Sequence, residues 1–304
     1  MEYSKRLNLM IDVKPDTREE EQYLSFASDY SLHVSKQTQN RPTRPKRTLM
    51  AQPNLNGFIH VKQELPRTEF FISAPFGNYI HSKRTISVTG TWTLLPRGNR
   101  FWAILKTLRY DREMGGWTNK LGLPNPGIAI GLQKTKENEI LSIAEVNRHD
   151  FVELDKLIPA TMSVELNLSC PNLEKKLTWE GARLFGASSK KRKWCIAKLS
   201  PLTTPEELHY VVEELGFTQL HFSNTLPFGD AGGISGPVLR EFTVELTELS
   251  RREWGSDVTI IAGGGVRDFG AVMEYLAAGA NHISIGSVCF NPLRMRRLLK
   301  SIGE

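Results

Sequence analysis

The sequence predicts an α/β fold, a (β/α)8 TIM barrel behind an N-terminal extension, and three observations carry that prediction. At 304 residues the chain is long for one ordinary domain but normal for such a barrel, which takes about 250. From about residue 57 onward it holds eight short β-rich runs. Most are nearly continuous in apolar residues, as strands buried on both faces are. Helical patterns lie between several of them, and that alternation implies parallel strands joined by right-handed crossovers.

Residues 1–56 are the predicted extension and 57–304 the predicted barrel. The extension shows weak periodicity, and its stretch "KQTQNRPTRPKRT" is polar, basic and proline-bearing, the composition of an arm or linker. The eight predicted strands are 69–73, 85–89, 127–131, 163–168, 194–199, 219–223, 258–262 and 282–286. Three of the intervening helices carry explicit boundary signals. "TPEELHYVVEELG" has Thr204 as N-cap, Pro205 in its first turn and Gly216 as its stop. "DFGAVMEYLAAGA" starts at Asp268 and stops at Gly279. "NPLRMRRLLKSIG" starts on Asn291 and Pro292.

Composition narrows the function classes. An apolar fraction of 40% and a charged fraction of 24% are those of a soluble globular protein. No apolar run approaches the roughly 20 residues that span a bilayer, and "MEYSKRLNLMIDVKPDTREEE" lacks the apolar core of a signal peptide. A cytoplasmic protein without membrane contact is expected. The three cysteines, Cys170, Cys195 and Cys289, lack metal-ligand spacing, so reduced thiols and no metal site are expected. Net charge is +6, with basic clusters around Arg41–Arg47, at 190–193 and at 294–300. These read as solvated surface rather than a nucleic-acid interface, although a basic protein also favours small anionic ligands.

The most unusual stretch is "NLSCPN", Asn167 to Asn172, at the end of an apolar strand pattern. A core wants neither two amides nor a fixed thiol, whereas a barrel does its chemistry where strands end and loops begin. Other strand ends are similarly enriched. The run "KLSP" places Lys198 on a strand in an apolar setting, where a buried cation can face an electron-rich cofactor. "SNT" supplies Asn224 and Thr225. "GGISG" ends at Gly236, "AGGG" contains Gly264 and Gly265, and "GS" is Gly286 and Ser287. Glycines let a backbone approach a ligand, and loops after the last two strands usually bind phosphate in this fold. His209, His221 and His282 fall within regular elements and read as structural; Cys195 and Cys289 read as small buried hydrophobes.

These motifs in this order, with "TGTWTLLPRGN" and "NKLGLPNPG" upstream, resemble the dihydroorotate dehydrogenases from about residue 69 to the C-terminus. Cysteine at 170 resembles the class 1 branch. The resemblance implies an FMN-dependent oxidation of (S)-dihydroorotate to orotate in pyrimidine biosynthesis. It implies that Cys170 is the base that takes the C5 proton while hydride passes from C6 to flavin N5. By the same resemblance Asn119, Asn167, Asn172, Asn224 and Thr225 surround the pyrimidine. Lys198, Gly236, Gly264, Gly265, Gly286 and Ser287 hold the flavin and its phosphate. A homodimer and an iron–sulfur electron-transfer subunit are the partners it implies. Amides suit a pyrimidine because each carries both a donor and an acceptor. Competing expectations are an FMN barrel acting on another pyrimidine, including a dihydrouridine-synthase-like enzyme, and an inactive binding homologue.

Two departures from the family pattern are visible. Gly90 follows Thr89 where the family usually has a lysine, with Lys120 as the nearby cation. Only ten residues separate "SAPFGN" from Thr89, so the first βα unit is expected to be short.

Overall fold

The computed structural model describes residues 68–98, 106–168, 179, 181–222 and 224–304. The predicted extension and the thiol of "NLSCPN" lie outside the described residues. Eight strands close into a parallel barrel. They are β1 (Phe70–Ile72), β2 (Thr85–Trp92), β5 (Ile140–Ile143), β6 (Val164–Asn167), β7 (Cys195–Leu199), β8 (Gln219–Phe222), β11 (Thr259–Ala262) and β12 (His282–Ile285). Around the barrel the order is β1-β12-β11-β8-β7-β6-β5-β2. Four further short strands form a second, antiparallel sheet of order β3-β4-β10-β9. These are β3 (Arg109–Asp111), β4 (Gly116–Asn119), β9 (Leu226–Pro227) and β10 (Gly233–Ser235).

Seven of the eight predicted strands coincide with barrel strands, and one does not. The run 127–131 is not a strand. It opens helix α1 (Ile128–Lys134), and the third barrel strand is Ile140–Ile143. The helical spacing has a packing reason. Gly131 lies against the indole of Trp92, where a Cβ would fall 2.8 Å from the ring, so this turn seats directly on β2. A short apolar run such as "GIAIGL" satisfies either period, and periodicity alone does not separate the two.

Among the described residues the remaining α-helices are α2 (Asp150–Leu157), α3 (Ala182–Ala187), α4 (Pro205–His209), α5 (Arg240–Trp254), α6 (Phe269–Ala277) and α7 (Pro292–Ser301). The three predicted N-caps form. Thr204 and Glu207 make a reciprocal capping box at α4, Asp268 accepts from the Ala271 amide, and Asn291 accepts from the Arg294 amide. The first unit is short as expected. A single 3-10 turn, Phe76–Asn78, connects β1 to β2.

The barrel interior has two zones. Toward the strand starts it is apolar: Phe71, Val88, Ile140, Trp194, Ile196 and Ile261 form one cluster. Phe71 and Trp194 come from opposite sides of the barrel and meet edge to face at 5.1 Å between ring centres. Toward the strand ends the inward side chains turn polar. Ser142, Glu165, Lys198 and His221 are all buried there. Buried charge of this kind is costly unless paired, which makes this end of the barrel the place to look for function.

Candidate active site

The register aligns the polar zone. Asn167 on β6 sits opposite Lys198 on β7, and Lys198 sits opposite His221 on β8. Asn167 follows Glu165 by two residues, so both side chains share the inner face. Just past β8, Asn224 donates its amide to Asn167 Oδ1 at 3.0 Å and accepts from the Thr225 amide at 3.0 Å. Thr225 in turn abuts β10, because a Cβ on Gly233 would fall 2.4 Å from its hydroxyl. Gly233 pairs with Asn119 on β4. Segments from four regions of the sequence thus bring Asn119, Asn167, Asn224, Thr225 and Lys198 to one end of the barrel. Cys170 and Asn172, two and four residues beyond Leu168, lie outside the described residues. Lys120 is exposed.

The absent lysine at position 90 has a steric explanation. Gly90 has φ of +104°, and a Cβ there would lie 2.5 Å from the Ser142 carbonyl oxygen. Only glycine fits.

The predicted phosphate loops also meet. A Cβ on Gly265 would fall 2.8 Å from the Gly236 carbonyl oxygen, and one on Gly236 would fall 2.9 Å from Gly116 Cα. The second sheet is therefore in backbone contact with the loop after β11. Gly264, with φ of +83°, lies beside it. Gly286 and Ser287 start the turn after β12. Among the described residues, the backbone amides of Gly264, Gly265 and Ser287 donate to no acceptor. Partly buried amides without acceptors are what an anionic group such as a phosphate fits.

Electrostatics favour a fixed cation at the barrel mouth. Lys198 Nζ lies 3.7 Å from Glu165 Oε1, with side chains 6% and 1% exposed. His221 Nδ1 is 2.7 Å from Glu165 Oε2, and Ser142 donates to Oε1 at 3.0 Å. Burial by itself would raise the Glu165 carboxyl. The Lys198 ammonium, the His221 ring and these hydrogen bonds outweigh it and hold Glu165 well below the usual carboxylate range. Burial, reinforced by Lys198, pushes His221 below its ordinary value against the pull of Glu165, so the ring is neutral at pH 7. Sequence reasoning passed over Glu165 and read His221 as structural. Their signal was present in a charged and an ionisable residue inside otherwise apolar strands, "VELN" and "QLHF".

The two described thiols, Cys195 and Cys289, are poor candidates for a base. Burial pushes Cys195 and Cys289 up to about 12, so neither supplies a thiolate near neutral pH. A cavity of about 600 Å³ also opens where β2 meets α1, lined by residues including Asn78, His81, Trp92 and Lys134. It contains none of the predicted site residues.

Glu145, just past β5, is a second perturbed acid. Burial is the main cause that raises its carboxyl to about 7, and amides at the start of α2 partly offset it. Oε2 is buried with no hydrogen-bond partner among the described residues. A raised acid costs nothing below its unfolded value and costs most once it ionises, so its penalty develops as pH rises from about 4.5 toward 7. Glu145→Gln is therefore expected to be more stable than the parent at pH 8 by roughly 2 kcal/mol. That is the ~3 kcal/mol of the shift less ~1 kcal/mol for burying an amide. At pH 4 the advantage disappears, as denaturant titrations at the two pH values would show.

Comparison with known proteins gives the family and the fold. One family, described as dihydroorotate dehydrogenase, matches residues 85–303. A similar relative is "Dihydroorotate dehydrogenase B (NAD(+)), catalytic subunit" of Endomicrobium trichonymphae, 29% identical over 229 residues. That alignment covers 66% of this chain and 72% of the relative. "Putative dihydroorotate dehydrogenase A (fumarate)" of Aquifex aeolicus is 28% identical over 228 residues, covering 62% of this chain and 72% of the relative. Among solved structures, the ligand-free dihydroorotate dehydrogenase of Eimeria tenella superposes with a TM-score of 0.55 at 18% identity. It covers 70% of this chain and 75% of that one, a likeness of fold.

Proposed function

Because this chain belongs to the dihydroorotate dehydrogenase family, as a divergent member, we propose that it oxidises (S)-dihydroorotate to orotate with FMN as cofactor. The observation that carries the reading is the meeting of Asn119, Asn167, Asn224, Thr225 and Lys198 at one end of the barrel, beside the glycine loops. The amides suit a planar ring of alternating N–H and C=O groups. A site built of amides also rejects ligands that would leave its own polar atoms unpaired.

In this reading the free backbone amides of Gly264, Gly265 and Ser287 hold the FMN phosphate, and Gly236 and Gly286 border it. Bound FMN supplies the acceptor for the hydride that leaves C6 of the substrate. Cys170 takes the proton from C5, and Asn167, Asn172 and Asn224 hold the ring so that this proton faces the sulfur. Lys198 presents a positive charge where negative charge gathers during the transfer. Relatives carry both an NAD(+) and a fumarate designation, and an iron–sulfur partner subunit is the proposed route for the former. A homodimer is proposed with it. Among the described residues no helix is long and apolar enough to cross a membrane.

The purified protein is expected to carry a flavin absorbance spectrum, and anaerobic addition of dihydroorotate is expected to bleach it. A flavin spectrum left unchanged by dihydroorotate but bleached by a different dihydropyrimidine would replace the substrate. Absence of flavin binding would remove the reading.

A further inference from the structure

The buried network under Lys198 spans five adjacent barrel strands. Thr91 on β2 lies 3.1 Å from Ser142 on β5, Ser142 donates to Glu165 on β6, and His221 on β8 reaches Glu165 across β7. Directions follow from proton counting. Ser142 has one hydroxyl proton and gives it to Glu165, so Thr91 must donate to Ser142. A neutral His221 paired with a carboxylate through Nδ1 carries its proton there. Its Nε2 faces the loop after β11, where a Cβ on Gly263 would lie 3.3 Å away.

The distances make one arrangement stand out. Each Glu165 oxygen has a short hydrogen bond from a neutral donor, Ser142 at 3.0 Å and His221 at 2.7 Å. Lys198 Nζ stays at 3.7 Å, close enough for charge attraction but beyond a hydrogen bond. Glu165 is nevertheless the described partner of the ammonium. An unconstrained carboxylate would rotate into direct contact with such a cation, since charge-assisted hydrogen bonds are the stronger ones.

We propose that Ser142 and His221 are positioning residues that hold the Glu165 carboxylate back from Lys198. The carboxylate then serves as counter-charge while the ammonium keeps its donors for a ligand at the barrel mouth. This inference rests on the functional reading above in taking that ligand to be the flavin. Its geometric core concerns this chain alone. Releasing either oxygen lets Glu165 close on Nζ and consumes the donors.

Three variants test it: His221→Leu, His221→Asn and Ser142→Ala. Asparagine can return a donor near the position of Nδ1, and leucine cannot. The first readout is the Nζ-to-carboxylate distance in crystals of the ligand-free proteins. His221→Leu and Ser142→Ala are expected to shorten it into hydrogen-bond range, and His221→Asn to preserve it. The second readout is the rate constant for flavin reduction by dihydroorotate. It is expected to fall about tenfold in the first two variants, the worth of one misplaced hydrogen bond, with KM nearly unchanged, and to recover in His221→Asn. Unchanged distances in both Ser142→Ala and His221→Leu would overturn the proposal, as would equal rates for leucine and asparagine at 221. If leucine prevents folding, Ser142→Ala and His221→Asn still decide. Failure of the wild-type protein to bind or reduce flavin would instead remove the functional reading, leaving the ligand-free distances to judge the network.

Discussion

Cys170→Ala is expected to yield a folded, flavin-loaded protein whose spectrum dihydroorotate barely bleaches. The expected loss in the rate of flavin reduction is on the order of 10²–10⁴-fold, the usual contribution of a positioned base. The family resemblance implies Cys170 as the base, and the two other thiols are poor candidates for that role. Of the three cysteines, burial pushes the Cys195 and Cys289 thiols up to about 12, so both stay protonated near neutral pH. Cys170 comes three residues after Asn167 in the sequence. Stopped-flow reduction under anaerobic conditions measures the effect. Substrate binding should survive, because the asparagines proposed to surround the ring remain. A variant that reduces flavin at the parent's rate would take the base assignment away from Cys170. Cys170→Ser should fall between the two, since a hydroxyl keeps the geometry but gives up its proton far less readily than a thiol.

Lys198→Met is expected to act on stability and chemistry together. Removing the ammonium leaves Glu165, 1% exposed, ionised beside neutral donors only. Breaking one partner out of a buried pair costs about 3–5 kcal/mol, readable as a lower denaturation midpoint. Pairing the change with Glu165→Gln should recover most of that loss, because no unpaired charge is left behind. Catalysis should not recover in the double variant, since the cation proposed to face the developing negative charge is still missing, a loss of about 10²–10³-fold. The pH dependence gives a separate check. Glu165 titrates below its unfolded value, so its contribution is present above about pH 4.5 and is lost as pH falls below that. In Lys198→Met the Glu165 carboxyl moves up toward and past its unfolded value, and this part of the acid destabilisation should shrink.

The network beneath the site also bears on position 90, where the family resemblance leads one to expect a lysine. A lysine beside Thr89 would need room that the Ser142 carbonyl occupies. The inner face of β2 instead ends in Thr91, hydrogen-bonded to Ser142. One buried cation, Lys198, thus serves the described part of the mouth, and one buried carboxylate balances it.

Much of this was legible from residues in order. Thr204, Asp268 and Asn291 announced their helices because N-cap chemistry is local: each side chain reaches an amide two or three residues ahead. Apolar runs announced seven barrel strands, because a strand covered on both faces must be apolar along its length. The asparagines and glycines at strand ends announced one polar, glycine-rich end of the barrel, since a barrel puts its loops there. The segment 127–131 misled because five apolar or small residues fit both periods, and the choice was made by Gly131 packing on Trp92, 39 positions earlier in the chain.

Sequence alone therefore determined the fold class, three of the helix starts and which residue types gather at the barrel mouth, for these follow from local chemistry and from alternating burial. Tertiary structure alone decided that Glu165 lies between Lys198 and His221, and that its two oxygens are held by neutral donors at a distance from the ammonium. Those contacts join strands whose residues are up to 56 positions apart, and only closing the barrel brings them within reach of one another.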